Sequence, residues 1–93
     1  MVILYSENFV SELENITNFI ALHSEVRADD FMRELKSEIE KIPFMPYRFR
    51  KNLKQNRNDV REMIFKSYVV PFQIKKDSII ILSIFKCNLT RFS

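Results

Sequence analysis

Ninety-three residues with 46% hydrophobic, 29% charged and 13% aromatic side chains suit one globular domain with one modest core. The chain has no glycine, one cysteine and one histidine. That composition excludes a glycine-built phosphate loop, an internal disulfide and a zinc site made of His and Cys alone. The net charge of +3 divides unevenly: residues 1–45 hold 4 basic and 9 acidic side chains, net −5, and residues 46–93 hold 11 and 3, net +8. Such a split points to two surfaces with different partners, one of them an anion or a nucleic acid.

Val2-Ile3-Leu4-Tyr5 is a short apolar run of strand formers, and Ser6 after it is a good helix N-cap. Phe9, Leu13, Ile16 and Ile20 recur at spacings of 4, 3 and 4, one face of a helix over residues 7–22. Ser24 caps a second helix over residues 25–41. Its stripe is Ala28, Met32, Leu35, Ile39 and Ile42, with Phe31 beside it and Glu34, Lys36, Glu38 and Lys41 on the solvated side. A joint of two or three residues makes the pair an antiparallel hairpin. Pro43-Phe44-Met45-Pro46-Tyr47 follows as a stiff loop whose Phe44, Met45 and Tyr47 are expected to cover a core edge. Residues 48–58 are a basic loop without an acid, ending in an Asn-rich turn.

The last third predicts three strands: Val60 to Phe65, Tyr68 to Ile74, and Ile79 to Phe85. Lys66-Ser67 turns between the first two, and residues 75–78 form a polar hairpin loop. Without glycine, tight primed turns fall to Asn or Asp, or are avoided. The nearly continuous apolar run from Ile79 predicts a central strand buried on both faces. Pro71 cannot donate to a ladder, so it marks an edge or a bulge. The order is β-α-α-β-β-β, an α+β fold with a helical hairpin on one face of a mostly antiparallel sheet. It forms one domain over residues 1–93, without repeats or low-complexity segments. No apolar run reaches the ~20 residues of a membrane span, and no basic region precedes the first apolar stretch, so a secretory signal is not expected. A reducing cytoplasm is the expected location.

This order resembles the RelE/ParE superfamily of toxins from type II toxin–antitoxin systems. The resemblance rests on the opening strand with Ser6-Glu7-Asn8-Phe9, and on the joint from Phe19-Ile20-Ala21-Leu22-His23-Ser24 into Ala28-Asp29-Asp30-Phe31. The helix exit Ile39-Glu40-Lys41-Ile42-Pro43 and the finish Val60-Arg61-Glu62-Met63, Tyr68-Val69-Val70-Pro71-Phe72 and Ile79-Ile80-Ile81-Leu82 complete it. The two well-formed helices and their joint look more ParE-like than RelE-like.

The resemblance implies a growth-inhibiting, plasmid-stabilising toxin held in a hetero-oligomer by a cognate antitoxin protein. The antitoxin crosses the helical hairpin and sheet, and Phe9, Leu13, Ile16, Ile20 and Phe65 are the expected contacts. ParE-like members inhibit DNA gyrase. RelE-like members cut mRNA on the ribosome, with cations stabilising the phosphorane and no metal. Arg61, Lys51, Lys54 and Lys86 would hold the phosphate in that case. Arg48, Arg50, Arg57, Arg61, Lys86 and Arg91 are the candidate target-binding residues in either case. The stretch Phe85-Lys86-Cys87-Asn88-Leu89 counts against cleavage, because Cys87 and Asn88 stand where arginine or glycine is usual. A tyrosine near the end is also absent, Phe92 at most marking its place. The expectation is therefore a toxin that binds a macromolecule, with ribosome-dependent mRNA cleavage as the alternative and an inactive toxin as a third outcome. No cofactor, metal or membrane partner is expected. His23 reads as a polar turn residue, and Cys87 as a small residue after a strand.

Overall fold

Val2–Tyr5 forms strand β1, and the chain turns at Ser6 into helix α1, Glu7–Ala21. The structure is a computed structural model and describes residues 1–51 and 57–86. Ser6 is extended, and its hydroxyl accepts the Phe9 amide at 3.0 Å, satisfying a donor that has no partner inside the helix. The helix stops one residue short of the expected Leu22, which is its C-cap. Ser24 repeats the device, accepting the Arg27 amide at 3.2 Å at the head of helix α2, Glu25–Lys41.

The buried face of α2 is Ala28, Phe31, Leu35 and Ile39, with Ile42 after it. Phe31 was expected beside the stripe and Met32 within it; the reverse holds, with Met32 exposed. Phe31 takes the inner place because its ring meets Phe65 and Tyr68 edge-on at 5.3 and 5.5 Å.

Two 3-10 turns, Ile42–Phe44 and Pro46–Arg48, carry the chain out of α2. Phe44, Met45 and Tyr47 do not cover the core: they are 83, 61 and 52% exposed. Phe49 does that work instead, edge-on to buried Phe72 at 5.4 Å. A short strand that the basic stretch concealed, β2 (Arg50–Lys51), pairs with β3 (Val60–Phe65). Then come β4 (Tyr68–Ile74), β5 (Ser78–Ile81) and β6 (Phe85–Lys86). The sheet order is β1-β5-β4-β3-β2, with β6 also on β4; β1 and β5 are parallel and every other pairing is antiparallel. The helices pack on the sheet face formed by Met63, Phe65, Val70, Phe72, Ile79 and Ile81.

The β3–β4 turn is the two residues Lys66 and Ser67, and Lys66 has φ 55°. Lysine rather than Asn or Asp therefore carries the left-handed conformation. Its ammonium bonds Glu34 at 3.0 Å and lies 5.5 Å from the Phe65 ring centre, which offsets part of a backbone strain of roughly 1–2 kcal/mol. Lys66→Gly is expected to stabilise by about 0.5–1 kcal/mol and Lys66→Val to destabilise by about 1 kcal/mol in urea unfolding.

The predicted long final strand is interrupted. Val69 to Phe72 spans three steps on β4, while Phe85 back to Ile81 spans four, so residues 82–84 hold one extra residue, a β-bulge. Pro71 accounts for it. The Leu82 amide donates to the Pro71 carbonyl at 2.9 Å. In an antiparallel pair of this kind a second bond should return, but proline has no N–H to give. The Leu82 carbonyl is satisfied instead by the Ser6 hydroxyl at 2.8 Å, with the Asn8 amide at 3.5 Å. Glu12 of α1 takes the Ile84 amide at 3.0 Å and the Ser83 hydroxyl at 2.6 Å. Helix α1 thus supplies the partners that the interrupted ladder lacks. Strand β5 is interior, between β1 and β4, but only one of its faces is fully buried: Ile79 and Ile81 are, while Ile80 is half-buried.

Candidate functional site

The basic half of the chain builds its surface where β2, β3 and the 3-10 turns meet. Arg61 lies across from Phe72 and Lys51 in the sheet, and residues directly opposite share a face. Its side chain therefore rises on the helix side, at the end where Tyr47 and Phe49 arrive. There its Nη1 donates to the carbonyls of Tyr47 and Phe49 at 2.9 and 2.8 Å. Nε donates to the Asn58 carbonyl at 3.0 Å and Nη2 to Asn58 Oδ1 at 2.7 Å. The guanidinium also lies 5.1 Å from the centre of the Tyr47 ring. Four of its five N–H donors face the protein, so Arg61 ties the 47–49 segment to the turn before β3.

The neighbouring cations divide into two groups. Arg50 bonds Glu62 at 2.8 Å, and Arg57 grips Asp59 through two bonds of 3.0 and 2.7 Å. Arg48 lies over the Phe49 ring at 5.4 Å and Lys51 is exposed; neither has a carboxylate partner among the described residues. Lys86 belongs elsewhere. It sits over Tyr68 at 5.1 Å, across from Tyr68 in the ladder. Arg61 is across from Phe72, so the two cations are displaced by about 13 Å along β4 alone. Arg61, Lys51 and Lys86 do not converge on one point. Lys54 and Arg91 lie outside the described residues, as do Cys87, Asn88 and Phe92. His23 is exposed at the hairpin joint, edge-on to Phe19 at 5.6 Å. No group of three or more His, Cys, Asp or Glu among the described residues is placed to hold a metal ion.

The Asp59 carboxyl is held below its ordinary value of 3.8 by the Gln73 amide, 3.0 Å away, and by Arg57, against a partial loss of hydration. A lowered folded-state value means that this contribution is complete above pH ~4 and lost as pH falls through the lowered value. Thermal unfolding of the native chain and of Asp59→Asn should therefore differ at pH 6 and converge as pH falls through the lowered value.

A second surface lies on the helices. A groove of about 390 Å³ between α1 and α2 is lined mainly by Phe9, Leu13, Met32, Leu35 and Ile39, with Tyr5 at one end. The Tyr5 ring stacks on Phe9 at 5.5 Å. Burial, and after it the Glu40 carboxylate, push the Tyr5 hydroxyl above its ordinary value of 10.0. Of the five residues expected on an antitoxin path, Phe9 and Leu13 line this groove. Ile16 faces the opposite flank, toward Tyr68 and Phe85. Ile20 borders a hollow with Phe31 and Lys66, and Phe65 is 6% exposed within the core. Tyr5 and Met32 escaped the sequence reading, Met32 because it was assigned inward. The exposed run Phe44-Met45 and Tyr47 escaped too; its signal was a Pro-bracketed segment with no period that could bury it.

No helix of the described residues is long and apolar enough to cross a membrane. Among protein-family models, the one for the ParE toxin of the type II toxin–antitoxin system parDE matches residues 3–88. Comparison with curated proteins gave no match. Among solved structures, the chain is similar to one described as the chromosomal ParDE TA system from P. aeruginosa, with a TM-score of 0.76 at 15% identity. That match covers 95% of this chain and 97% of the other, and at such identity it supports the α+β fold found here.

Proposed function

The chain belongs to the ParE toxin family of type II toxin–antitoxin systems, and from that premise we propose that it arrests growth by binding a macromolecular target, DNA gyrase, in the cytoplasm. The observation that carries binding over catalysis is the state of Arg61, whose donors are spent on the carbonyls of Tyr47, Phe49 and Asn58 and on the Asn58 side chain. An arginine that stabilises a developing phosphorane must aim free N–H groups at it. Arg48, Arg50, Arg57, Arg61, Lys86 and Arg91 are the proposed target-binding residues, of which Arg91 lies outside the described residues. Purified protein is expected to inhibit gyrase supercoiling. Normal supercoiling at saturating toxin rejects gyrase, and new mRNA 5′ ends within translated codons on induction would establish cleavage instead.

A cognate antitoxin neutralises the toxin by laying an apolar segment into the α1–α2 groove, against Phe9 and Leu13; Ile16 and Ile20 border other hollows and Phe65 is buried, so they lie off this path. The two proteins form a hetero-oligomer. A volume of about 390 Å³ is within the range that takes one well-packed ligand segment. Met32→Asp puts a charge on the groove wall at an exposed position, so the fold should survive it. Its affinity for the product of the adjacent open reading frame is expected to fall at least tenfold. Undiminished binding would place the antitoxin on another face.

A further inference from the structure

The exposed strip Phe44, Met45 and Tyr47 lies on the 3-10 turns at the edge of the basic surface, and its apolar side chains are not among the proposed target-binding residues. Three large apolar side chains stand 83, 61 and 52% exposed within four residues. Isolated exposed apolar residues need no explanation, but adjacent ones mark contact sites. Pro43 and Pro46 restrict the backbone of the two 3-10 turns that carry them. Arg61 fixes the far end through the Tyr47 and Phe49 carbonyls and its place over the Tyr47 ring, and Phe49 anchors the segment on buried Phe72. A strip ordered before binding loses little entropy on binding.

We infer that this strip, flanked by Arg48 and Lys51, docks an acidic protein surface. The inference rests on the reading that the chain acts by binding a macromolecular target, and it names the apolar side chains that dock that target. Aromatic residues, Met and Arg are the types enriched at the centres of protein interfaces. The charge around the strip is positive, because Arg48, Lys51 and Arg61 have no carboxylate partner among the described residues, whereas Glu62 and Asp59 are bound to Arg50 and Arg57. An acidic partner meets that field favourably.

A nucleic acid fits less well. Affinity for a phosphate backbone grows with the number of phosphates neutralised, about 6–10 in strongly salt-dependent binders. Here Arg61 turns its donors inward, and Arg50 and Arg57 hold carboxylates. Arg48 and Lys51 are the cations left free beside the strip among the described residues. Met45 offers no flat face for a base.

The test uses the full chain, expressed without antitoxin, as Phe44→Ser/Tyr47→Ser and separately as Arg48→Glu. Both variants change exposed side chains, so thermal unfolding and antitoxin affinity should stay within about twofold of the native values. The double variant is expected to lose growth arrest and Arg48→Glu to weaken it, with any inhibition of gyrase falling at least tenfold. Affinity for a 20-nucleotide single-stranded RNA should be no different in the double variant, which keeps every cation. Growth arrest at full strength in both folded variants overturns the inference while leaving the toxin reading intact. Parallel loss of RNA affinity and toxicity in the double variant overturns it in favour of a nucleic acid. If the double variant fails to fold, Arg48→Glu decides. A native chain that arrests nothing rejects the toxin reading, and the inference with it.

Discussion

Arg61→Ala is expected to lower the free energy of unfolding by about 2–3 kcal/mol, the largest effect of any single change at the basic surface. Four hydrogen bonds from one charged group are lost together. Bonds of this kind contribute roughly 1.5–3 kcal/mol when buried and less where water competes, as at half-exposed Arg61. Arg61→Lys separates a holding role from an electrostatic one. A lysine keeps the charge but cannot reach three carbonyls in the fork geometry of a guanidinium. If Arg61 acts by holding residues 47–49, the lysine variant should lose toxicity nearly as fully as the alanine variant. If its charge acts directly on a phosphate, lysine should retain a measurable part of it. Denaturant unfolding and growth arrest, followed on the same variants, provide the two readouts.

The second large effect is at Ser6. Its hydroxyl accepts the Phe9 amide and donates to the Leu82 carbonyl. Ser6→Ala removes the cap, worth about 1 kcal/mol, and leaves a part-buried carbonyl with only the long contact to Asn8, a further 1–2 kcal/mol or so. A loss of about 2–3 kcal/mol is expected. Pro71 offers a sharper check. Pro71→Val restores the missing N–H opposite Leu82. In the Ser6→Ala background it should recover about 1 kcal/mol, while in the native background it should change little, because the carbonyl is already satisfied. A double-mutant cycle that returned no coupling would mean that Pro71 and Ser6 do not share the Leu82 carbonyl.

The parts legible in the sequence were those set by near neighbours. Two serine caps and the 4-3-4 spacing from Phe9 to Ile20 placed both helices to within a residue, since capping and periodicity are local. Strands β3 and β4 were legible for the same reason, and Pro71 marked an edge or a bulge through its missing donor; the bulge lies across from it, at residues 82–84. Partnerships across the chain were not legible. Glu12 meets Ser83 across 71 positions, and Arg61 finds carbonyls 14 and 12 residues earlier; no spacing encodes either. Strand β2 was hidden because arginine and lysine carry little strand signal of their own, and Arg50 is placed there by Glu62 across the ladder. Among the candidate site residues, the sequence identified the cations but not which of them were already engaged. That depends on where the few acids of the second half fold.

The bulge at residues 82–84 decides which way Ile84 and Phe85 face. Side chains of a strand alternate faces, so one extra residue inverts the parity of everything after it. Ile79 and Ile81 point inward, yet inward burial resumes at Ile84, and Phe85 is 44% exposed. Were these same residues paired regularly, without the bulge, Phe85 would take the inward place and Ile84 the outward one. Removal of one residue between Ile81 and Ile84 would make the two paired spans equal, restoring regular pairing with Ile84 still inward and Phe85 still opposite Val69. It is the bulge, rather than the length of the segment, that turns Ile84 into the core.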